Sequence, residues 1–369
     1  MRIVYVIDTF AVWGGIERVL ADKMNYLVEH AGWEVTLLTV SQCNHPLTFG
    51  LHSSIKHVDL DVRMYQQYQY RWVKRLLKRQ ELMFLLKKRL SVALKAIKPD
   101  VLVCTKLVFV DVLLALKGDI PLVVESHTLC KSEKMDRVGV LRMLYIKFLK
   151  RCIRQADVLV ALTEGDAADW SSLTTNVRVI PNIVHLNETG RYSDCTNKRA
   201  IFVGRLVEQK GIQELINIWR IVNGHHPDWQ LDVYGDGHLD SISEIKLFVH
   251  PPTNSLMEEY INSSILLMTS VYEPFGLVLA EAMSCGLPVV AFDCPYGPSS
   301  IMSDGVDGYL IKKRKSDEFV QRVDQLICSY DLRQQIGQAG IQSSQRYQAS
   351  RIMPQWIQLF EDLTSSRVE

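Results

Sequence analysis

The chain has no apolar run near the roughly 18–20 residues that a membrane span requires, so no spanning helix organises its 369 residues. Its opening, 1–8, has too short an apolar core and no small-residue cleavage site, and reads as a first strand and not a signal peptide. Eight cysteines (43, 104, 130, 152, 195, 285, 294, 328) form no C-x-x-C pair and show no metal-ligand spacing. A disulfide framework and a zinc site are therefore not expected, and free thiols in a reducing cytoplasm are. No Asp-x-Asp is read as following a strand, and no His/Cys/Asp cluster has metal-ligand spacing. Repeats and low-complexity tracts are absent. The glycine turn after the first strand lacks the third glycine of the dinucleotide fingerprint, which argues against NAD.

What is present is a globular composition, 47% hydrophobic and 22% charged, on a chain long enough for two cores. The net charge of +1 conceals an asymmetry. Residues 1–175 carry 25 Lys and Arg against 18 Asp and Glu, net +7; the remainder carries 17 against 23, net −6. Ten bases and one acid, Glu81, fall in 71–98, with Leu and Phe at helical spacing; 131–154 adds eight bases against two acids. A basic amphipathic helix can lie on an anionic membrane surface. The plainer alternative is a solvated helix face. No nucleic-acid-binding motif accompanies the bases.

Short apolar runs alternate with helical patterns, which predicts parallel sheets covered on both faces. In the first half, strands are expected at 3–7, 34–40, 55–60, 101–104, 122–125, 158–162 and 177–180, with helices at 15–29 and 71–97. A polar stretch, 187–198, reads as a linker. The alternation then restarts: strands at 200–203, 230–234 and 246–249, helices at 211–222 and 256–262, then a strand–helix–strand unit over 265–292. A last helix at 351–363 has no strand after it and is expected to return to the first domain. The division is 1–185, 198–345 and 346–369.

Candidate site residues gather at predicted strand tips. Glu273 sits in the loop after strand 265–270, and Glu281 eight residues on in the following helix. Carboxylates suit polyols because each accepts from two neighbouring hydroxyls. Between them Phe275, Gly276 and Leu277 open a helix whose free N–H groups favour an anion. After strand 200–203 come Arg205 and Lys210, two cations suited to one diphosphate. Gly14 and Gly15 form a strand-to-helix turn that admits a phosphate or sugar. His127 follows strand 122–125, Asn182 lies at the domain junction, and Gly235 and His250 follow the strands expected at 230–234 and 246–249. Each has an ordinary structural alternative: a turn, a hinge or a core histidine.

With these motifs in order, Gly14-Gly15-Ile16-Glu17-Arg18, Gly204-Arg205 to Lys210-Gly211, Tyr234-Gly235-Asp236-Gly237, Glu273-Pro274-Phe275-Gly276 to Glu281 and Asp304-Gly305 to Leu310, the chain resembles the retaining glycosyltransferases of family 4. The resemblance implies an α/β GT-B fold: two Rossmann-like domains facing each other across a cleft, with a C-terminal helix crossing back. It implies transfer of a hexose or N-acetylhexosamine from a nucleotide-diphosphate sugar, UDP the best candidate, with no cofactor and no metal. By the same resemblance Glu281 binds the ribose, Glu273 the sugar, and Arg205, Lys210 and the amides of 275–277 the diphosphate, with His127 beside the reacting sugar. The implied acceptor is a glycan or an undecaprenyl-diphosphate-linked glycan in bacterial surface-polysaccharide synthesis. The implied location is cytoplasmic, peripheral on the inner membrane face through helix 71–98, with no nucleic-acid partner. Two alternatives on the same architecture are a sugar-nucleotide epimerase and a non-catalytic sugar-nucleotide-binding subunit. The segment after Gly237, His238–Glu244, leaves little of the family's usual helix, and His238 stands where the family's Gly-Asp-Gly-Pro has its proline.

Overall fold

The computed structural model describes residues 1–128, 130, 147, 148 and 150–365. The chain divides into two units, Met1–Ile183 with Ala349–Glu369, and Val184–Gln348.

The first unit is built on seven strands: β1 (Arg2–Ile7), β2 (Glu34–Thr39), β3 (Lys56–Asp59), β4 (Val101–Cys104), β5 (Leu122–Glu125), β6 (Val158–Ala161) and β7 (Val177–Val179). Their order is β3-β2-β1-β4-β5-β6-β7, every pair parallel. Continuous apolar strands such as Ile3–Ile7, wholly buried, force this arrangement, since a strand covered on both faces has no polar side to show.

Helix α1 (Gly15–Ala31) follows β1 and stops at Gly32, whose φ of 65° lets its N–H reach the Leu27 carbonyl, a common helix stop. Helix α2 (Trp72–Ile97) buries one ridge, Leu82, Leu86, Leu90 and Leu94, at four-residue spacing, while residues 71–77 are exposed throughout. It ends at Lys98, before Pro99, where the helical region is disfavoured. Short helices α3 (Val110–Leu116) and α4 (Glu164–Ser171) lie in two further connections; neither was expected from sequence. Residues 107–116 are apolar almost throughout, which hides a period. The second basic stretch, 131–154, falls largely outside the described residues.

The second unit carries β8 (Arg199–Val203), β9 (Gln230–Tyr234), β10 (Leu247–His250), β11 (Ile265–Met268), β12 (Val289–Phe292) and β13 (Tyr309–Ile311), in the parallel order β10-β9-β8-β11-β12-β13. Its helices are α5 (Ile212–His225), α6 (Leu256–Ile261), α7 (Leu277–Ser284), α8 (Gly297–Ile301), α9 (Ser316–Cys328) and α10 (Tyr330–Ser344). Helices α5 and α9 cover one face around Trp219, Phe292 and Phe319.

The polar stretch expected as a linker is packed. Asn187 N–H donates to Ser284 Oγ at 3.0 Å, Ser193 N–H to the Cys285 carbonyl at 2.8 Å, and the buried Arg333 guanidinium to the Cys195 carbonyl at 3.1 Å. Its backbone groups find partners on the second unit, which polarity alone does not reveal. Helix α11 (Ala349–Ser365) belongs to the first unit, burying Ile352, Met353, Trp356, Leu359 and Phe360, with Phe360 6.1 Å from Trp33.

Candidate active site

In open parallel sheets, ligands bind outside the strand C-termini where the strand order reverses. In the second unit that point lies between β8 and β11, and the loops leaving these strands are locked together. Gly211 closes the β8 loop with φ 66°, and a Cβ there would stand 2.1 Å from the Thr269 carbonyl oxygen. Only glycine meets both conditions. Thr269 Oγ1 donates to the Lys210 and Gly211 carbonyls at 3.0 and 3.1 Å. The Lys210 stem lies against Gly204, and its ammonium sits 2.5 Å from Glu273 Oε2. Ser270 Oγ donates to the same carboxylate oxygen at 3.3 Å.

The Glu273 backbone is anchored as firmly. Its N–H donates to the Pro295 carbonyl at 2.9 Å, and its carbonyl accepts from Tyr296 and Gly297 at 3.0 and 2.8 Å. Gly276 then caps α7, whose first amides have no carbonyl within the helix to bond and so face outward as donors. Phe275 is buried, edge-on to Tyr347 at 5.3 Å. Glu281 is buried in α7 and accepts from the Tyr260 hydroxyl at 3.3 Å. Arg205, on the β8 loop, is exposed.

The β9 loop packs directly on this cradle. A Cβ at Gly235 would stand 1.9 Å from the Gly204 carbonyl oxygen, so no side chain fits between the loops. His250, at the end of β10, stacks on Tyr234 at 4.6 Å and engages Asp232 Oδ1 through Nε2 at 2.7 Å. Burial opposes the Asp232 charge, but Arg199, His250 and Gln230 together hold its carboxyl below the usual range. The His250 ring is thus part of a charge network, which its sequence position did not show.

Arg314 is a residue that sequence reasoning missed. Its guanidinium donates to the Ser270 and Thr269 carbonyls at 2.8 and 3.2 Å and pairs with Glu214 of α5, fixing the strand tip from which Glu273 hangs. The signal was a basic run, 312–315, directly after the last strand.

In the first unit the order reverses between β1 and β4. Gly14 and Gly15 open α1 without a side-chain cap. Asp8, at the β1 tip, has a buried Oδ1 with no hydrogen-bond partner among the described residues, and burial raises its pKa. His127 is buried beyond β5, its Nε2 3.1 Å from Glu125 Oε2. Asn182 is buried beyond β7. The structure thus gathers Lys210, Glu273, Gly235 and the α7 N-terminus into one cradle, with Arg205 on its rim. His127, Gly14, Gly15 and Asn182 belong to the other unit.

Among the described residues no group of three His, Cys, Asp or Glu side chains is arranged to hold a metal. The chain's Asp-x-Asp, Asp59-Leu60-Asp61, does close a strand, but its carboxylates are engaged. Asp59 accepts from Thr39, Gln42 and Cys43, and Asp61 from Arg63.

Two sequence profiles together match residues 13–343. One described as "Glycosyl transferases group 1" matches residues 186–343, and one described as "Glycosyltransferase Family 4" matches residues 13–188. The amylovoran biosynthesis glycosyltransferase AmsD of Erwinia amylovora is 34% identical over 226 residues, 56% of this chain and 62% of AmsD. The poly(ribitol-phosphate) alpha-N-acetylglucosaminyltransferase of Staphylococcus aureus is 26% identical over 240 residues, 62% of this chain and 48% of that protein. The chain spans less than two thirds of either relative. A crystal structure of an S. aureus TarM variant with Fondaparinux, alpha-GlcNAc-glycerol and UDP superposes with a TM-score of 0.77 at 15% identity, covering 97% of this chain and 99% of that one. This likeness, with the two reversing parallel sheets, is the GT-B fold. Matched along both halves, the chain belongs to the family 4, or group 1, glycosyltransferases.

Proposed function

We propose that the chain transfers a hexose or N-acetylhexosamine from a UDP-sugar to a glycan or lipid-diphosphate-linked acceptor, with retention at the anomeric carbon and without a metal. The observation that carries this reading is the Lys210–Glu273 pair at the β8/β11 reversal, beside the α7 N-terminus. Those cations and amides suit a departing diphosphate, and the carboxylate suits sugar hydroxyls. Glu281 takes the ribose hydroxyls, and Arg205 closes on the diphosphate from the rim. His127 meets the sugar. In the transfer, the C1–oxygen bond to the diphosphate breaks and the acceptor oxygen bonds C1 on the same face. The acceptor's hydroxyl proton leaves to a diphosphate oxygen. The names of AmsD and the S. aureus transferase point to surface-polymer synthesis, and the TarM complex supports UDP.

The location we propose is an anionic membrane surface on the cytoplasmic side. No helix of the described residues is long and apolar enough to cross a membrane. The first turns of α2 nonetheless expose Trp72 (91%), Val73, Leu76, Leu77 and Phe84. At 100° per residue these five fall within an arc of about 140°. Lys74, Arg75, Lys78 and Arg79 occupy the opposite arc. An apolar stripe flanked by bases fits the headgroup boundary of an anionic bilayer.

Thermal unfolding with a panel of UDP-, GDP- and ADP-sugars tests the donor assignment, since a ligand that binds only the folded chain raises its Tm. A UDP-sugar is expected to give the largest shift, and UDP release on adding acceptor separates transfer from mere binding. A Tm unmoved by every nucleotide sugar contradicts the assignment.

A further inference from the structure

The first unit buries an ion pair that the transfer chemistry does not itself require. Lys23, on α1, is 1% exposed, and its Nζ lies 2.6 Å from Glu125 Oε1 at the end of β5. The Trp356 ring of α11 covers the ammonium at 3.3 Å. The second carboxylate oxygen, Glu125 Oε2, lies 3.1 Å from His127 Nε2. Stability alone does not account for such a pair, because apolar residues of similar volume commonly do as well.

Its chemistry bears on the histidine. Burial opposes the Glu125 charge, yet Lys23 and His127 hold its carboxyl down to about 2. An ionised carboxylate only accepts hydrogen bonds, so Nε2 carries the hydrogen and Nδ1 is the nitrogen left as an acceptor. A neutral partner leaves the two tautomers free to exchange.

We propose that Lys23 and Glu125 are positioning residues that lock His127 as the Nε2–H tautomer, presenting Nδ1 to accept a hydrogen bond from a sugar hydroxyl. This rests on the reading of His127 as the residue that meets the sugar. Trp356 belongs to the device, since it excludes water from the ammonium and keeps the pair short.

The test is histidine 15N spectroscopy of the full chain above neutral pH, with His127→Ala identifying the resonance, together with UDP release from UDP-N-acetylglucosamine and UDP-glucose. The wild-type ring is expected to show the Nε2–H pattern, and the charge-free double variant Lys23→Met/Glu125→Gln a mixture. That variant should lose about 10–100-fold in kcat, the scale seen when metal-bound histidines lose their orienting carboxylate, with KM nearly unchanged. It should add nothing to the loss in His127→Ala. An Nδ1–H ring in the wild-type chain overturns the proposal, and does so even where the double variant fails to fold. Full kcat in the double variant, with His127→Ala impaired, overturns the positioning role and leaves the histidine's role standing. Full activity in His127→Ala overturns the underlying reading instead.

Discussion

Lys210 and Glu273 form an ion pair at 2.5 Å between two loops that leave adjacent strands, each side chain about seven-eighths shielded from solvent. The pair joins the group assigned to the diphosphate to the group assigned to the sugar, so neither acts alone. Removing one partner leaves the other charge poorly solvated.

The hypothesis that this pair serves the transition state predicts distinct losses. Lys210→Ala should lower kcat/KM by 10²–10³-fold, about 2.7–4 kcal/mol, the scale of one lost preorganised donor. Glu273→Gln should abolish transfer while UDP affinity stays near wild type. Initial rates and calorimetric UDP titration measure both; equal loss of affinity and rate in Glu273→Gln contradicts the sugar role.

Gly211 is constrained twice, by its backbone and by the Thr269 carbonyl. Gly211→Ala therefore should cost at least about 1–2 kcal/mol from the left-handed conformation alone, with the contact adding more. For a unit of this size that lowers Tm by roughly 2–8 °C. An unchanged melting curve removes the close approach from the account of the cradle.

The Glu125 carboxyl, held near 2 against an ordinary 4.5, binds fewer protons folded than unfolded between those values. Its contribution to stability is complete above about pH 4.5 and is lost as the pH falls toward 2. Acid unfolding of the Lys23→Met/Glu125→Gln variant should be flatter across that window than the wild type's. Parallel curves would show that the pair is not ionised as described.

Vesicle binding tests the exposed face of α2. Leu76→Ser/Leu77→Ser and, separately, neutralisation of Lys74, Arg75, Lys78 and Arg79 should each release the chain from anionic vesicles, the second set losing its effect at high salt. Binding that neither set alters returns α2 to an ordinary surface helix.

The proposed leaving-group stabilisation by Arg205, Lys210 and α7 needs no divalent ion, so UDP release should persist in EDTA. Activity restored only by added magnesium or manganese contradicts it.

Most of the strands were legible because buried parallel strands leave continuous apolar runs, as in residues 3–7 and 289–292, and because glycine and proline punctuate their ends; their order in the sheet was not. The cradle's members were legible for the same reason: Arg205, Lys210, Glu273 and Gly276 follow strand tips. What the sequence hid was partnership. Lys23 sits mid-helix like any solvated lysine, and nothing local reports that β5 delivers a carboxylate to it. Arg314 looks like one base of four, yet it alone reaches back to the β11 tip. The stretch 187–198 looks loose because many of its hydrogen bonds go to groups 65 to 138 residues away.

Helix α11 packs with the first unit although it is made after the second, so the order of synthesis and the order of completion differ. As the ribosome finishes residue 348, the second unit has every strand and helix it will use. The first still lacks Trp356, the ring that covers the Lys23 ammonium. Domains fold largely as they emerge; here the earlier-made half stays one wall short until the later half is done.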